Sequence, residues 1–314
     1  MNTENIANPF QDAIGQLPRL KDWVRWGATL FRSEDLVFAH GTDNALDEAA
    51  FLVLSALQLT PKIPDLYWDS RLTLDEQKRL AHLFERRVRE RMPASYLTNE
   101  AWFAGIPFYV DERVLVPRSP IAELIEQEFT PWIHAAQVRH ILDLCTGSGC
   151  IGIAAGHWFP DAEIDLLDIS DDALAVARIN LDKHFPNDHR FRLIKSDLLD
   201  QLDIETYDVI VSNPPYVGRE EIEQLAEEHR HEPMLGLASG EQGLDATLRI
   251  LASAKQHLTK HGILIVEVGN SAPFLQEAFP NAPLQWLEFS RGGDGVFLVE
   301  AKDLDYFTQR IPLR

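Results

Sequence analysis

Along the first 95 residues, apolar positions recur at the spacing expected of helices. The run Asp47-Glu48-Ala49-Ala50-Phe51-Leu52-Val53-Leu54 opens with acids, which suit a helix N-terminus, and continues apolar. A second helix is predicted to begin at Thr73, with Glu76 completing a capping box, and to run through Leu80, Leu83, Phe84 and Val88. Pro61 and Pro64 separate the two, and Pro93 ends the second. From Trp102 to Val116 the pattern changes. Phe103, Ile106, Phe108, Val110, Val114 and Val116 are interleaved with turn material at Gly105-Ile106-Pro107 and Asp111-Glu112, which predicts a β-hairpin. Residues 121–133 return to a helical pattern.

Strands and helices then alternate, as a mostly parallel sheet requires. The predicted strands are 140–144, 164–168, 191–195, 208–212 and 263–268, with helices over 171–184 and 246–258. The end differs: 284–289 and 296–301 read as strands, but only Ser290-Arg291-Gly292-Gly293-Asp294-Gly295 lies between them. That link is too short for a crossover, so the two form an antiparallel hairpin. Five parallel strands closed by such a hairpin resemble the Rossmann-like class I methyltransferases. Three parts follow: a small helical bundle over 1–95, a hairpin linker over 96–118, and an α/β domain over 119–314.

Length agrees with this division, since 314 residues suggest about two domains. The opening Met1-Asn2-Thr3-Glu4-Asn5 carries an acid and no basic cluster, unlike a signal or transit peptide. The longest apolar stretch, 49–59, is too short to span a bilayer. The two cysteines, Cys145 and Cys150, make no disulfide framework, which fits a reducing cytoplasm. Their spacing suits neither a metal nor a redox pair, and they read as small core-filling residues. A net charge of −20 repels nucleic-acid backbones and attracts basic partners. The same acidity also serves plain solubility, and charge alone leaves both readings open. His229-Arg230-His231 has no third ligand at a recognisable spacing, so it reads as a solvated loop and no metal is expected. The basic run Lys78, Arg79, Arg86, Arg87, Arg89 and Arg91, interleaved with Glu85 and Glu90, reads as a solvated helix face that could also touch RNA.

Ile141-Leu142-Asp143-Leu144-Cys145-Thr146-Gly147-Ser148-Gly149-Cys150-Ile151-Gly152 is a strand, a tight glycine turn and a helix start. Asp168 ends the next strand, where a carboxylate can accept both hydroxyls of an adenosine ribose. The glycine spacing also satisfies the dinucleotide fingerprint, so the loop alone does not separate nicotinamide cofactors from S-adenosylmethionine. Asp143 and the terminal hairpin favour the methyl donor, because a carboxylate inside the first strand would face a pyrophosphate poorly but can hold the donor's amino group, directly or through water.

Asp208-Val209-Ile210-Val211-Ser212 leads into Asn213-Pro214-Pro215-Tyr216, just beyond a strand's carboxyl end, where ligands bind in open α/β sheets. The tetrapeptide suits a planar –NH2 group: the Asn213 oxygen can accept one N–H, the Pro214 carbonyl the other, and Tyr216 offers a face. Two acceptors favour positive charge on an amide nitrogen as it attacks, and aim it at a sulfonium methyl.

Asn213-Pro214-Pro215-Tyr216 in this place resembles methyltransferases acting on adenine in DNA or glutamine in proteins. Three further runs resemble the HemK-type protein glutamine methyltransferases: His231-Glu232-Pro233-Met234-Leu235-Gly236-Leu237, Gly240-Glu241-Gln242-Gly243-Leu244-Asp245, and Phe103-Ala104-Gly105-Ile106-Pro107-Phe108-Tyr109-Val110 with Val114-Leu115-Val116-Pro117-Arg118. Members that modify release factors usually continue Pro-Arg-Pro-Glu-Thr-Glu, whereas this chain reads Pro117-Arg118-Ser119-Pro120-Ile121-Ala122-Glu123. With Trp102 and the run 44–49, that is similar to the branch modifying a basic large-subunit ribosomal protein, L-three. The resemblance implies S-adenosylmethionine as donor and S-adenosylhomocysteine as product. It implies donor contacts from Asp143, Thr146, Gly147, Ser148, Gly149 and Asn213, with Asp168 and Ile169 at the ribose end and Asp197 and Leu198 toward the adenine. It implies Asn213, Pro214 and Tyr216 as catalytic, and Phe103, Pro117 and Pro215 beside the acceptor, with the helical part recognising the substrate. Three alternatives stay open: a release-factor substrate, an adenine-amine DNA methyltransferase, and a non-catalytic assembly factor.

Overall fold

The computed structural model describes residues 8–203 and 206–311. The chain divides into two compact units, Met1–Glu100 with Ala226–His231, and Ala101–Leu225 with Glu232–Arg314. The hairpin expected to be a linker therefore belongs with the second unit, and the short segment 226–231 belongs with the first.

The first unit contains α1 (Pro9–Ala13), α2 (Leu20–Ser33), α3 (Ala45–Ala56), α4 (Leu74–Arg89) and α5 (Ala94–Thr98). Asn44 caps α3 by accepting from the Leu46 and Asp47 amides, and Thr73 and Glu76 close the predicted box on α4. In α2 the buried positions Leu20, Trp23, Val24, Gly27, Ala28 and Phe31 fall at three- and four-residue steps. The core is aromatic: Trp23 and Phe31 both meet Phe84. Gly27 lets the helices close up, because a Cβ there would lie 2.4 Å from the Phe84 ring.

Two readings of polar runs are corrected in this unit. Arg87 is not on a solvated face. It is fully buried, with Nε 2.7 Å from Glu48 and Nη1 3.5 Å from Glu228. The loop holding His229-Arg230-His231 is not simply solvated either, since Glu228 is fully buried, accepts the Val37 amide at 3.0 Å and pairs with Arg91 at 3.0 Å. Buried charges persist only when paired in this way.

The second unit opens with β1 (Ala101–Phe103) and β2 (Ile106–Phe108), an antiparallel pair joined through Ala104 and Gly105, both at positive φ as a tight hairpin turn demands. The hairpin ends there. Over 110–116 the chain forms no strand but turns at residues 112–114, a turn held by Arg113 bonded to Asp111. Then come α6 (Ile121–Glu126), β3 (His140–Leu144), α7 (Cys150–Trp158), β4 (Glu163–Asp168), α8 (Asp171–His184), β5 (Phe191–Lys195), β6 (Tyr207–Ser212), α9 (Arg219–Gln224), α10 (Asp245–Ser253), β7 (Leu258–Glu267), α11 (Ala272–Ala278), β8 (Gln285–Trp286), β9 (Val296–Glu300) and α12 (Asp305–Thr308). Helix α6 stops short of the predicted 133 because Glu128 and Phe129 turn left-handed and carry Phe129 into the core, stacked 5.5 Å from Phe159.

The sheet order is β5-β4-β3-β6-β7-β9-β8, parallel from β5 through β7 and antiparallel at β9 and β8. This is the Rossmann-like class I methyltransferase sheet that the sequence predicted. Strand β8 is shorter than 284–289 because the chain turns aside to Glu123, which accepts from the Ser290 amide and hydroxyl and the Arg291 amide. Both faces of the sheet are covered, so its strands are almost continuously apolar. Ile141, Ile164, Val209, Ile263 and Leu298 face one core, and Leu142, Leu167, Ile210, Leu264 and Val299 the other. The chain leaves β3 toward β5 and returns to β6 on the other side. A crevice must therefore open where β3 and β6 part company, at their carboxyl ends.

Gly152 sits where α7 crosses the sheet. A Cβ there would lie 2.2 Å from Leu166 Cδ2 and 3.0 Å from Asp143 Cβ. Gly152→Ala should therefore cost about 1–3 kcal/mol by overpacking. Urea unfolding of the full chain checks this, and an unchanged midpoint would show that the contact yields freely.

Candidate active site

The turn after β3 places Cys145 (φ 62), Gly147 (φ 55) and Gly149 (φ 81) in the left-handed region. For the cysteine this costs roughly 1–2 kcal/mol, so the loop must be held from outside. Asp143 Oδ2 accepts from Thr146 Oγ1 at 2.5 Å and from the Gly152 amide at 2.8 Å. The Thr146 amide donates to the Leu167 carbonyl at 2.9 Å, and Ser212 Oγ to the Leu144 carbonyl at 2.7 Å. Asn180 of α8, fully buried, donates to the Ser148 carbonyl at 2.9 Å while exchanging both backbone bonds with Tyr109. One side chain thus ties the glycine loop to the segment that leaves the hairpin.

Asp143 lies under this loop with no exposed surface, and burial pushes its carboxyl up to about 7. Its Oδ1 has no hydrogen-bond partner. Asp168, at the end of β4, accepts the Gly147 amide at 2.9 Å through Oδ2 and the Ser170 amide at 2.9 Å through Oδ1. Burial raises its carboxyl as well.

The crevice has two adjoining clefts. The first is walled by residues 113–119, the glycine loop through Ile151, Asp168, Asn213, Pro215, Tyr216, Pro233, Leu235 and Gly236. The second continues past Cys145, Asp168 and Pro215 to Ile169, Asp197, Leu198, Ser239 and Arg249. Predicted donor residues from Thr146 to Gly149 line or shape the first, and Ile169, Asp197 and Leu198 line the second. Asp197 is not free there: it pairs with Arg249 at 2.8 Å. Both cysteines pack in or against the core, Cys150 buried and Cys145 half-buried, and both also line the first cleft, Cys145 reaching the second as well.

Asn213 Oδ1 is buried and has no hydrogen-bond partner, although the residue lines the first cleft. A buried acceptor left empty marks a place for a donor that arrives with a ligand. Pro214 is buried between the two cleft-lining neighbours. Tyr216 donates its hydroxyl to Glu267 Oε1 at 3.0 Å, and burial drives its ionisation above the ordinary phenol range. Its carbonyl accepts from Ser271 Oγ at 2.8 Å, its ring lies where a Cβ on Gly269 would be 2.7 Å away, and a Cβ on Gly243 would be 2.0 Å from its carbonyl oxygen. Gly243, from the Gly240–Asp245 run seen in the sequence, thus packs against Tyr216. Elsewhere in the cleft lining, Arg118 grips Glu232 at 2.5 and 2.9 Å, and Glu232 also accepts the Val116 amide at 3.1 Å.

Pro117 lines the cleft as expected. Phe103 does not: it is buried in the core, edge-on to Phe108 at 6.4 Å, because the hairpin ends before it can reach the crevice. Sequence reasoning missed Glu267, Ser119 and Asn180. Glu267 was signalled by a lone acid ending the apolar run 262–268, and Asn180 by a polar position on the apolar stripe Val176, Ala177, Leu181.

Residues 127–230 match the family model of the methyltransferase small domain. The chain is 47% identical over 295 residues to the ribosomal protein uL3 glutamine methyltransferase of Francisella tularensis subsp. tularensis, covering 94% of each chain. It is 48% identical over 300 residues to that of Xanthomonas campestris pv. campestris, covering 95% of this chain and 96% of the relative. Among solved structures, a methyltransferase from Pyrococcus furiosus overlaps 63% of this chain and 89% of its own, with a TM-score of 0.43 and 18% identity.

The chemistry of the donor set fits S-adenosylmethionine: an acid at the end of β4, a glycine turn beside it, and an unpartnered carboxylate oxygen below. Asp168→Ala should weaken binding of that donor while leaving the fold intact, and calorimetry showing unchanged affinity would remove Asp168 from the site. A second expectation concerns pH. Burial favours the protonated form of Asp143 in the folded protein, so its contribution is complete below its ordinary value near 3.8 and lost as pH rises to about 7. Without donor, wild type should lose stability relative to Asp143→Asn across that window in urea unfolding, and parallel curves would refute it.

Proposed function

We infer this chain's reaction from one premise: it belongs to the family of the ribosomal protein uL3 glutamine methyltransferases. It transfers a methyl group from S-adenosylmethionine to the side-chain amide nitrogen of a glutamine in ribosomal protein uL3, giving N5-methylglutamine. The observation that carries the chemistry is the buried, unpartnered Asn213 Oδ1 on the wall of the cleft.

The bound donor supplies a sulfonium methyl group. An amide nitrogen is a poor nucleophile because its lone pair is shared with the carbonyl. Asn213 Oδ1 accepts one N–H of the entering amide, and the Pro214 carbonyl accepts the other, so the nitrogen gains electron density and a fixed direction. Tyr216 supplies a flat face for the amide plane. Bound there, the donor would supply the methyl group and keep the electron pair of the broken sulfur–carbon bond, while the nitrogen, held by Asn213 and the Pro214 carbonyl, would lose its extra proton to water. The tetrapeptide needs no tuned acid or base for this.

The partner argument rests on charge. A ribosomal protein that binds RNA is basic, and this chain carries −20. The helical unit serves substrate recognition, and the cytoplasm is the place of action, a reading supported by two free thiols.

Asn213→Ala should retain the donor but lose about 3–4 kcal/mol of transition-state stabilisation, roughly 100-fold to 1000-fold in turnover. Turnover within a few-fold of wild type would rule out the amide clamp. Methylation of free uL3 should also slow as salt rises, since charges beyond about 8 Å are screened at physiological ionic strength. Radiolabelled transfer to uL3, a release factor and DNA at two salt concentrations reads this out. A salt-independent rate would reduce the acidity to solubility, and better methylation of the release factor or of DNA would overturn the substrate.

A further inference from the structure

Glu267 ends β7 as a carboxylate only 5% exposed, after a run of apolar strand residues. Packing gives no reason for it, because an apolar side chain there would avoid the cost of taking a charge out of water. Its two oxygens serve two separate segments. Oε1 accepts from the Tyr216 hydroxyl at 3.0 Å, and Oε2 from Ser119 Oγ at 2.5 Å. Ser119 Oγ in turn accepts the Ile121 amide at 3.2 Å, so its proton is committed to Glu267. Tyr216 and Ser119, from segments far apart in the chain, both line the cleft that holds Asn213.

The tyrosine is already held at two points, its carbonyl by Ser271 and its ring against Gly269. The bond from the hydroxyl to Glu267 adds a third point, at the far end of the ring. We propose that Glu267 is a positioning residue of methyl transfer, fixing through Tyr216 the face on which the acceptor amide lies and tying that tyrosine through Ser119 to the 113–119 segment of the same cleft. The proposal rests on the glutamine-methyltransferase reading. Only a carboxylate can accept from both hydroxyls at once; a glutamine offers one acceptor oxygen and turns an N–H toward the other donor.

The test is steady-state kinetics of the full chain on ribosomal protein uL3 with S-adenosylmethionine, for wild type, Glu267→Gln, Tyr216→Phe, Ser119→Ala and the paired variants. Misplacing a reacting group costs on the order of 100-fold, so kcat should fall by about 10-fold to 100-fold in Glu267→Gln and in Tyr216→Phe. Because Glu267 acts through Tyr216, the Glu267→Gln/Tyr216→Phe double should be no slower than the slower single. Donor KM should stay within about two-fold throughout. Should Glu267→Gln fail to fold by its melting curve, Tyr216→Phe and Ser119→Ala carry the test: their losses should combine to less than their product, since Glu267 alone joins them. Multiplying losses in either pair, or a loss confined to donor KM, overturns the proposal while the functional reading stands. A wild-type chain that transfers no methyl to uL3 overturns that reading and this inference with it.

Discussion

A carboxylate shut away from water must be given hydrogen-bond donors by the chain, and Asp143 takes both of its donors from the turn it precedes. Much of the site follows from that. With Thr146 and Gly152 drawn down onto it, the turn can keep three left-handed residues, and the Gly147 amide is left facing Asp168. Asp168 is thereby aimed across the crevice. The pairing of Leu144 with Ser212, reinforced by the serine hydroxyl on the leucine carbonyl, then brings the end of β6 level with the same turn. The glycine turn and the Asn213-Pro214-Pro215-Tyr216 run are one strand spacing apart because β3 and β6 are neighbours.

The buried acids divide the work by depth. Asp143 lies beneath the turn and organises backbone. Asp168 stands at the rim with both oxygens partly engaged by amides. Glu267 lies behind Tyr216 and meets side-chain hydroxyls. Asn213, which lines the cleft, is neutral, so its oxygen stays an acceptor whatever the pH and needs no counter-charge to be buried. Acidity at the surface, which sets the net charge, belongs to other residues.

Much of this was legible in the sequence because its signals are local. The strand ends, the glycine turn and Asn213-Pro214-Pro215-Tyr216 are contiguous runs, and β3 and β5 begin and end where the apolar pattern puts them. Helix α4 obeys its capping box. What failed depended on where a turn falls or on partners distant along the chain. Phe103 lies in a hairpin whose length is decided by a turn at Ala104 and Gly105, and its ring goes to Phe108 rather than to the crevice. Helix α6 ends early because Phe129 finds Phe159. Arg87 reads as one of a row of exposed cations until Glu48 and Glu228, far apart in sequence, close on it. Glu267 and Asn180 were visible as polar residues on apolar stripes, but a single polar position does not say which groups it meets.

The segment 226–231 gives the first unit a dependence on the order of synthesis. As the chain emerges from its N-terminus, Arg87 has Glu48 within reach at once, but Glu228 follows only after β3, β4, β5 and β6 have been made. Until then a buried guanidinium holds one carboxylate instead of two, and the Val37 amide and Arg91 lack the acceptor that serves them in the finished fold. The helices translated first are therefore completed late, by a peptide that the nascent chain delivers between Tyr216 and Glu232. A helical unit severed after Glu100 would be missing an internal part, not merely a neighbour.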